Sequence, residues 1–191
     1  MKLKGFTLIE LLVVIAILAV LAVAVVLVLN PAELIRQARD TIRISDLAAL
    51  NSAIALYLAD VANPTFSDTG RCTSGSTKPP NMTRTCTTST STAVDSNGWV
   101  PINLGSISRG SPIPLLPIDP YNGDTGCEGG TLDLCMYVFA SYTDETHELN
   151  TNMESTKYGG ASSGSNVELN SKDGGNDADW YEVGSDPGLN L

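Results

Sequence analysis

The chain begins with a long apolar stretch, and a periodic pattern follows it. Residues 6–29 are apolar apart from one carboxylate, Glu10. A helix of this length extends about 36 Å, and the apolar core of a bilayer is about 30 Å thick. The stretch therefore predicts a membrane-spanning helix over residues 6–30, in which Glu10 needs an explanation.

After residue 33 the apolar residues recur every three or four positions, which predicts an amphipathic helix over residues 31–62. They are Ile35, Ala38, Ile42, Leu47, Leu50, Ile54, Tyr57, Leu58 and Val61. Asn30-Pro31 predicts either a kink or a new helix start, because proline disrupts a helix interior but suits a first turn. Residues 6–61 together predict one long helix.

Charged residues of opposite sign lie three or four positions apart on the amphipathic helix, where such pairs interact. They are Arg36, Asp40, Arg43 and Asp46. Two interpretations stay open: a solvated face of the helix, or a contact between subunits of a filament.

The part of the chain after Asn63-Pro64, which ends the helix, changes to polar and then to strand-like patterns. Residues 63–98 predict a polar surface loop, and the run 85–92 is either bare or carries O-linked sugars. Residues 99–104 are either a short strand or an extended segment broken by Pro101. Residues 136–142 and 147–153 predict a hairpin, and residues 180–183 predict a third strand. An antiparallel sheet packed on the second half of the helix would give an α+β fold. Its β-rich head spans residues 99–191 and ends in a Gly/Asp-rich tail.

The charge of the chain is strongly acidic, with a formal net charge of −10. From Ser111 onward only Lys157 and Lys172 are basic, against fourteen Asp and Glu residues. Such a surface repels nucleic acid, which binds clustered Lys and Arg. We therefore expect no direct nucleic-acid partner.

The four cysteines form no CxxC pair, which argues against a zinc site. An even number beyond a membrane segment suggests two disulfides in an oxidising compartment. We expect the sequence-local pairing, because each bond would close a short polar loop; free or differently paired thiols are the alternative. The expected bonds are Cys72–Cys86 and Cys127–Cys135.

Three interpretations of the N-terminus compete. A secretory signal would end at Ala22-Val23-Ala24, but the apolar run is too long for it and carries Glu10. In a plain membrane anchor, Glu10 would only be a penalty. The third interpretation rests on the segment Lys4-Gly5-Phe6-Thr7-Leu8-Ile9-Glu10-Leu11-Leu12-Val13-Val14-Ile15, which resembles the processing site of the type IV pilins and pseudopilins.

This resemblance implies specific roles for three residues. A prepilin peptidase would cut after Gly5 and remove residues 1–5 as a leader. Phe6 would become the N-methylated first residue, and Glu10 would meet the N-terminal amine of a neighbouring subunit. A carboxylate and an ammonium are each costly in an apolar bundle and much less so as a pair.

The head also resembles that of major pseudopilins and related minimal pilins. The similar segments are Leu116-Pro117-Ile118-Asp119-Pro120, residues 137–144, Glu148-Leu149 and Met153-Glu154-Ser155. Two departures, the long loop between Cys72 and Cys86 and the glycine-rich tail after Tyr158, favour a pilin with an elaborated surface.

The resemblance implies a non-enzymatic structural subunit that polymerises with copies of itself, with the help of membrane assembly machinery, into an extracellular type IV pilus. The precursor would lie in the cytoplasmic membrane, and the mature subunit in a surface filament or a periplasmic pseudopilus. The alternatives are a major pseudopilin of type II secretion and, from another class, a membrane-anchored binding module.

Catalytic and cofactor signals are weak. His147 has no Ser or Cys partner in a motif and is expected at the surface. Gly159-Gly160 and Gly174-Gly175 do not follow the pattern of a phosphate-binding loop. Asp173, Asp177 and Asp179 lie on a glycine-containing loop whose oxygens suit calcium, and major pseudopilins hold calcium in the head. A solvated acidic loop is the alternative, and no other cofactor is expected.

Overall fold

The computed structural model describes residues 5–75, 82, 84–127, 134–159 and 167–185. The chain divides into two compact units, Met1–Ile35 and Arg36–Leu191. The described residues form two helices, a five-stranded sheet and a short 3-10 helix, Leu104–Ser106. The fold is α+β, as the sequence predicts.

The first helix, α1, spans Leu8–Leu29 and carries one charged residue, Glu10, in its first turn. Thr7 is its N-cap and Asn30 its C-cap, where the backbone takes a left-handed conformation at φ 40°. Asparagine tolerates this conformation better than most residues, because its short polar side chain costs little there. The described side chains of α1 are all exposed.

The second helix, α2, spans Pro31–Asp60. Its first turn starts at Asn30, whose carbonyl accepts hydrogen bonds from the N–H groups of Glu33 at 3.0 Å and Leu34 at 3.4 Å. The prediction of one continuous helix over residues 6–61 is therefore wrong at Asn30. The proline opens a new helix, which fits its missing N–H and fixed φ.

The sheet lies in the second unit and has the order β2-β1-β3-β4-β5. Its strands are β1 Thr69–Cys72, β2 Cys86–Thr88, β3 Tyr137–Ser141, β4 His147–Thr151 and β5 Tyr181–Gly184. The β3–β4 hairpin and β5 are antiparallel, as the sequence predicts, and β1 is also antiparallel to β3. The sheet is nevertheless mixed, because β1 and β2 run parallel.

Strands β1 and β2 lie in residues 63–98, which the sequence pattern assigns to a loop. Each is only three or four residues long, and neither contains a large apolar or aromatic residue. They gain their strand conformation from pairing with β3 and with each other. The Cys72–Cys86 disulfide links these neighbouring strands.

Of the two alternatives for residues 99–104, the strand is not formed, and the segment is non-strand chain that contains Pro101. Pro101 lacks the N–H that a strand ladder needs, and the segment runs as irregular buried chain whose Asn103 makes an isolated bridge to Asp95. Trp99 is fully buried, and its Nε1 donates to the carbonyl of Pro117 at 2.8 Å. The segment therefore fills the core instead of extending the sheet.

Both faces of the sheet are covered. The first face packs against α2, with Leu47, Leu50 and Ile54 meeting Phe139 and Leu149 in the main core. The second face holds a smaller cluster that includes the Cys72–Cys86 disulfide. Its buried members are Cys72, Met82, Cys86, Met136, Val138, Ala140 and Trp180.

Candidate functional site

The predicted processing site lies just before α1. Residues 5–7 have no regular secondary structure, and α1 begins at Leu8. Apart from the two chain neighbours of Gly5, no atom of the described residues lies within 4 Å of the position that a side chain at Gly5 would occupy. The peptide bond between Gly5 and Phe6 thus lies in non-helical, accessible chain, while the rest of the predicted leader lies outside the described residues.

Thr7 and Glu10 form a reciprocal capping box at the start of α1. The Thr7 backbone N–H donates to Glu10 Oε2 at 2.8 Å, and the Thr7 hydroxyl donates to the same oxygen at 2.7 Å. The backbone N–H of Glu10 donates to Thr7 Oγ1 at 3.3 Å. The carboxylate is therefore held at the N-terminal end of the helix, beside the predicted new N-terminus.

The surface of α1 is apolar on every side. Its large side chains remain about half exposed or more, from Val14 at 45% to Val28 at 83%. Residues Leu8–Val26 are long and apolar enough to cross a membrane, and none of that window is buried. Helix α2 passes the same length and composition test, but a third of its window is buried, as in the core helix of a soluble domain. An apolar surface like that of α1 is stable when lipid or other apolar helices cover it.

The N-terminus matches a family model, the prokaryotic N-terminal methylation motif, over residues 1–26. The chain carries the prepilin-type motif of type IV pilins and pseudopilins. No curated protein and no solved structure matches the chain.

The prepilin-type motif supports a protein of the type IV pilin and pseudopilin class, whose members are structural. It implies processing by a prepilin peptidase and assembly into pilus-type filaments. Together with the apolar helix α1, it fits a membrane-anchored precursor.

The second unit, Arg36–Leu191, which we call the head from here on, contains a buried ionic network that centres on Arg43. Its Nε donates to Asp119 Oδ2 at 2.7 Å and its Nη2 to Asp119 Oδ1 at 2.8 Å. Its Nη1 donates to Asp40 Oδ1 at 2.8 Å, and its Nη2 lies 2.6 Å from Glu154 Oε1. Asp40 and Arg43 are fully buried, so the interpretation as a solvated helix face is wrong for these two residues, whereas Arg36 is exposed.

The remaining groups of the network tie the chain after β4 to α2. Asp40 accepts the backbone N–H groups of Glu154 at 2.9 Å and Ser155 at 2.8 Å. Arg39 Nε donates to Glu154 Oε1 at 2.8 Å, and its guanidinium lies 4.6 Å from the ring centre of Tyr121. The network therefore fixes two separate segments to one helix.

Charge balance explains why Arg43 and Glu154 stay ionised. Burial raises the pKa of Glu154, but the hydrogen bond from Arg39 and the charge of Arg43 outweigh it and leave the pKa below its ordinary value. Burial lowers the pKa of Arg43, yet its bonds to Asp119 and Glu154 raise it overall. Three carboxylates thus share two guanidinium groups.

Sequence reasoning missed Asp119 and Glu154 as partners of Arg43, although it quoted both segments. A signal for the burial of Asp40 and Arg43 was present. These two positions continue the three- and four-residue spacing of the buried stripe of α2. That stripe is Asp40, Arg43, Leu47, Leu50, Ala53, Ile54 and Tyr57.

The three aspartates of the acidic loop have different surroundings. Asp173 accepts the backbone N–H groups of Gly175 at 2.9 Å and Glu182 at 2.6 Å. Asp177 is buried and accepts the N–H of Asp179 at 3.0 Å, while Asp179 is exposed. Among the described residues, the one group with three possible metal-binding atoms within 4.8 Å is Cys127, Cys135 and Glu154. The calcium hypothesis stays a prediction.

The cysteines pair in the structure as Cys72–Cys86 and Cys127–Cys135, and the latter two therefore offer no free thiolate to a metal. The loop that the second bond closes lies mostly outside the described residues.

The prediction that His147 lies at the surface is wrong. It opens β4, is 1% exposed, and its Nε2 lies 2.9 Å from Asn51 Oδ1 on α2. Its ring meets that of Phe66 edge-on at 5.9 Å. Burial lowers the pKa of His147 to about 4, so the imidazole is neutral at physiological pH and part of the core.

Proposed function

We propose that this chain is a structural subunit, a pilin, which polymerises through α1 into an extracellular type IV pilus-like filament. The observation that carries the proposal is the combination at the N-terminus. The exposed apolar helix α1 bears one carboxylate, that of Glu10. This carboxylate caps the start of α1, close to the cleavage position of a prepilin-type motif.

In the proposed assembly, α1 has two successive roles. In the precursor it anchors the subunit in the cytoplasmic membrane, where lipid covers its apolar side chains. After cleavage behind Gly5 and methylation of Phe6, other copies of α1 replace the lipid around it. Neighbouring heads and loops then form the outer surface of the fibre.

Glu10 would set the stagger between subunits. Both hydrogen bonds from Thr7 end on Oε2, so in the proposed filament the second oxygen, Oε1, can accept from the ammonium group of a neighbouring Phe6. Unpaired, either charge is costly among apolar helices. A register that leaves them apart is therefore disfavoured, and the pair selects the stagger more than it adds stability.

A major pseudopilin of type II secretion is the second candidate. One observation favours it: the Leu116–Pro120 region, which resembles major pseudopilin heads, contributes the buried Asp119 that holds Arg43. This segment belongs to the core of the head and not to a variable surface. Deletion of the gene separates the candidates, since lost surface fibres indicate a pilus and lost protein export without fibres indicates a pseudopilus.

The decisive experiment for the proposed function is electron microscopy of purified surface fibres, with the subunit identified in them by mass spectrometry. The same sample gives the mature N-terminus. N-methylated Phe6 in fibres supports the proposal. A mature chain that starts at Val25 would contradict it, because ordinary signal peptidase would then release the protein as a secreted binding module.

A further inference from the structure

The chain contains two Asn-Gly sequences, Asn97-Gly98 and Asn122-Gly123, and the proposed function uses neither. In such a sequence the backbone nitrogen of the glycine can attack the side-chain amide carbon of the asparagine, because glycine has no side chain that hinders the approach. The attack closes an imide ring and releases ammonia. In a folded protein, the rate depends on what holds the two reacting groups.

Asn97 is exposed, and its side chain is not held in place. Its backbone N–H donates to Asp95 Oδ1 at 3.2 Å, and the residue before it, Ser96, has a left-handed backbone at φ 73°. Within the described ranges, no hydrogen bond reaches the side-chain amide of Asn97, and none uses the N–H of Gly98. Both reacting groups are therefore available.

The packing around Gly98 requires glycine at this position. A Cβ atom added there would lie 2.0 Å from the carbonyl oxygen of Ala93 and 2.3 Å from Leu116 Cδ1. The next residue, Trp99, is anchored, since its backbone N–H donates to the carbonyl of Ser91 at 2.9 Å. The fold thus keeps the glycine in a fixed place, while the asparagine side chain before it can rotate.

Asn122 and Gly123 are held by three hydrogen bonds. The Thr73 hydroxyl donates to Asn122 Oδ1 at 2.6 Å, and Asn122 Nδ2 donates to the Thr73 carbonyl at 3.0 Å. The N–H of Gly123 donates to the carbonyl of Cys135 at 2.9 Å. Gly123 is exposed, whereas Gly98 is buried. Solvent exposure of the glycine alone would therefore favour reaction at Asn122, and the hydrogen bonds oppose it.

We propose that Asn97 is a site of spontaneous deamidation and that Asn122 is protected from this reaction. The Gly98 nitrogen loses its proton to a solvent base and forms a bond with Cγ of Asn97. The bond from Cγ to Nδ2 breaks, and this nitrogen leaves as ammonia after it takes a proton from water. Water then adds to either carbonyl of the imide and opens the ring, which leaves aspartate or isoaspartate at position 97.

The modified chain gains one negative charge at an exposed position, close to Asp95 in the sequence. The reaction needs only water and a solvent base, so its extent increases with the age of the protein. The side chain of Asn97 has no hydrogen-bond partner in the described part of the chain, so its conversion to aspartate should leave the fold of the head intact. The inference does not depend on assembly into a filament.

Incubation of the purified full chain in detergent micelles at mildly alkaline pH tests the proposal. Peptide mass spectrometry measures the conversion of each asparagine, because the acid is heavier than the amide, and chromatography separates aspartate from isoaspartate. A reaction at Asn122 must first break three hydrogen bonds, so we expect Asn97 to convert at least about tenfold faster. Similar rates at the two positions, or no conversion at Asn97, would overturn the proposal.

The same measurement in guanidinium chloride shows whether the fold is responsible for the difference. Unfolding removes the hydrogen bonds of Asn122, and both asparagines then precede a flexible glycine. We therefore expect the two rates to become alike, mainly through a faster reaction at Asn122. If Asn122 stayed unreactive in the unfolded chain, its protection would not come from Thr73 and Cys135, and the proposal would be contradicted.

Asn97→Gln gives a readout on the intact protein. Glutamine would have to close a larger and less favourable ring, so isoelectric focusing should show an acidic form that accumulates in the wild type and not in this variant. Asn103→Gln is the matched control and should behave as the wild type, because Asn103 is also exposed but precedes leucine. An acidic form that accumulates equally in Asn97→Gln would assign the new charge to another residue and overturn the proposal.

Discussion

Arg43 and Asp119 are joined by two parallel hydrogen bonds, at 2.7 and 2.8 Å, in the fully buried interior of the head. Arginine suits this site because its planar guanidinium matches a carboxylate in this two-bond geometry. The same guanidinium also reaches Asp40 and Glu154. One side chain thus holds together α2, the chain before the Cys127–Cys135 loop, and the chain after β4.

Replacement of this residue is expected to destabilise the head strongly. Arg43→Met fills much of the same volume. Among the described ion pairs it leaves Glu154 only its contact with Arg39, and it leaves the buried carboxylates of Asp40 and Asp119 without a cation. Removal of one member of a buried ionic network costs about 3–5 kcal/mol. Urea unfolding of the full chain in detergent, followed by tryptophan fluorescence, measures the change.

Arg109→Met is the matched control, because Arg109 is exposed. Its free energy of unfolding should stay within about 0.5 kcal/mol of the wild-type value. If Arg43→Met were as stable as this control, the network would contribute nothing to the stability of the head.

The parts of the fold that could be predicted are those with a local pattern. The apolar run gives α1, the helical spacing gives most of α2, and the aromatic and β-branched residues of β3 mark it as a strand. The break at Asn30 was one of two open alternatives, since Asn-Pro allows both a kink and a restart. Thr69–Cys72 carries no strand pattern, and its conformation depends on a pairing with β3.

The candidate assembly site was local as well, since Gly5, Phe6 and Glu10 lie within one short motif. The buried network has no such local signal, because Asp119 is 76 positions from Arg43 along the chain. No spacing rule connects residues so far apart. The sequence also does not predict the burial of Glu148 and Glu182, because acidic residues in an alternating strand usually mark the solvent side, and here both are almost fully buried.

His147 gives a prediction for the acidic range. The folded head holds it neutral with a pKa of about 4, below the ordinary 6.5, so the unfolded chain binds a proton that the folded chain does not. Above about pH 6.5 the neutral His147 costs the folded head no stability. As the pH falls to about 4, the free energy of unfolding decreases by about 3 kcal/mol through this residue.

Comparison with His147→Gln isolates this effect, because glutamine keeps a polar group near Asn51 and does not titrate. Asp173 titrates in both proteins and cancels in the difference. Unfolding free energies at about pH 7 and pH 4 should show the variant gaining about 3 kcal/mol relative to the wild type on acidification. If the difference in unfolding free energy between the variant and the wild type stayed constant, His147 would bind its proton in the folded head as readily as in the unfolded chain.

The calcium hypothesis predicts that the metal raises the stability of the head. Binding to the folded state alone adds RT ln(1 + [L]/Kd), which is about 1.4 kcal/mol at ten times the dissociation constant. Thermal unfolding of the full chain with EDTA, millimolar calcium or millimolar magnesium measures this shift. The same unfolding temperature in all three solutions would contradict calcium binding by the head.

Asp177→Asn should abolish the shift if this loop holds the ion. Asp124→Asn is the control, since Asp124 is exposed on another loop. A calcium effect that Asp177→Asn leaves unchanged would place the ion elsewhere in the protein.

Glu10 gives the prediction that bears most directly on assembly. Glu10→Ala removes the one charge from α1, so insertion into the membrane should be unimpaired or easier. The proposed pairing with a neighbouring N-terminus is lost, and a charge-assisted hydrogen bond contributes about 1.5–3 kcal/mol. We therefore expect the amount of fibre to fall by about tenfold or more, measured by shearing and immunoblotting against total membrane-bound subunit.

Glu10→Gln separates the two roles of this side chain. Glutamine also completes a capping box with threonine, so this variant keeps the start of α1 but lacks the charge. If the charge sets the register, Glu10→Gln is as defective as Glu10→Ala. Normal fibres from Glu10→Gln alone would assign the role of Glu10 to the helix cap, and normal fibres from both variants would show that the carboxylate does not guide assembly.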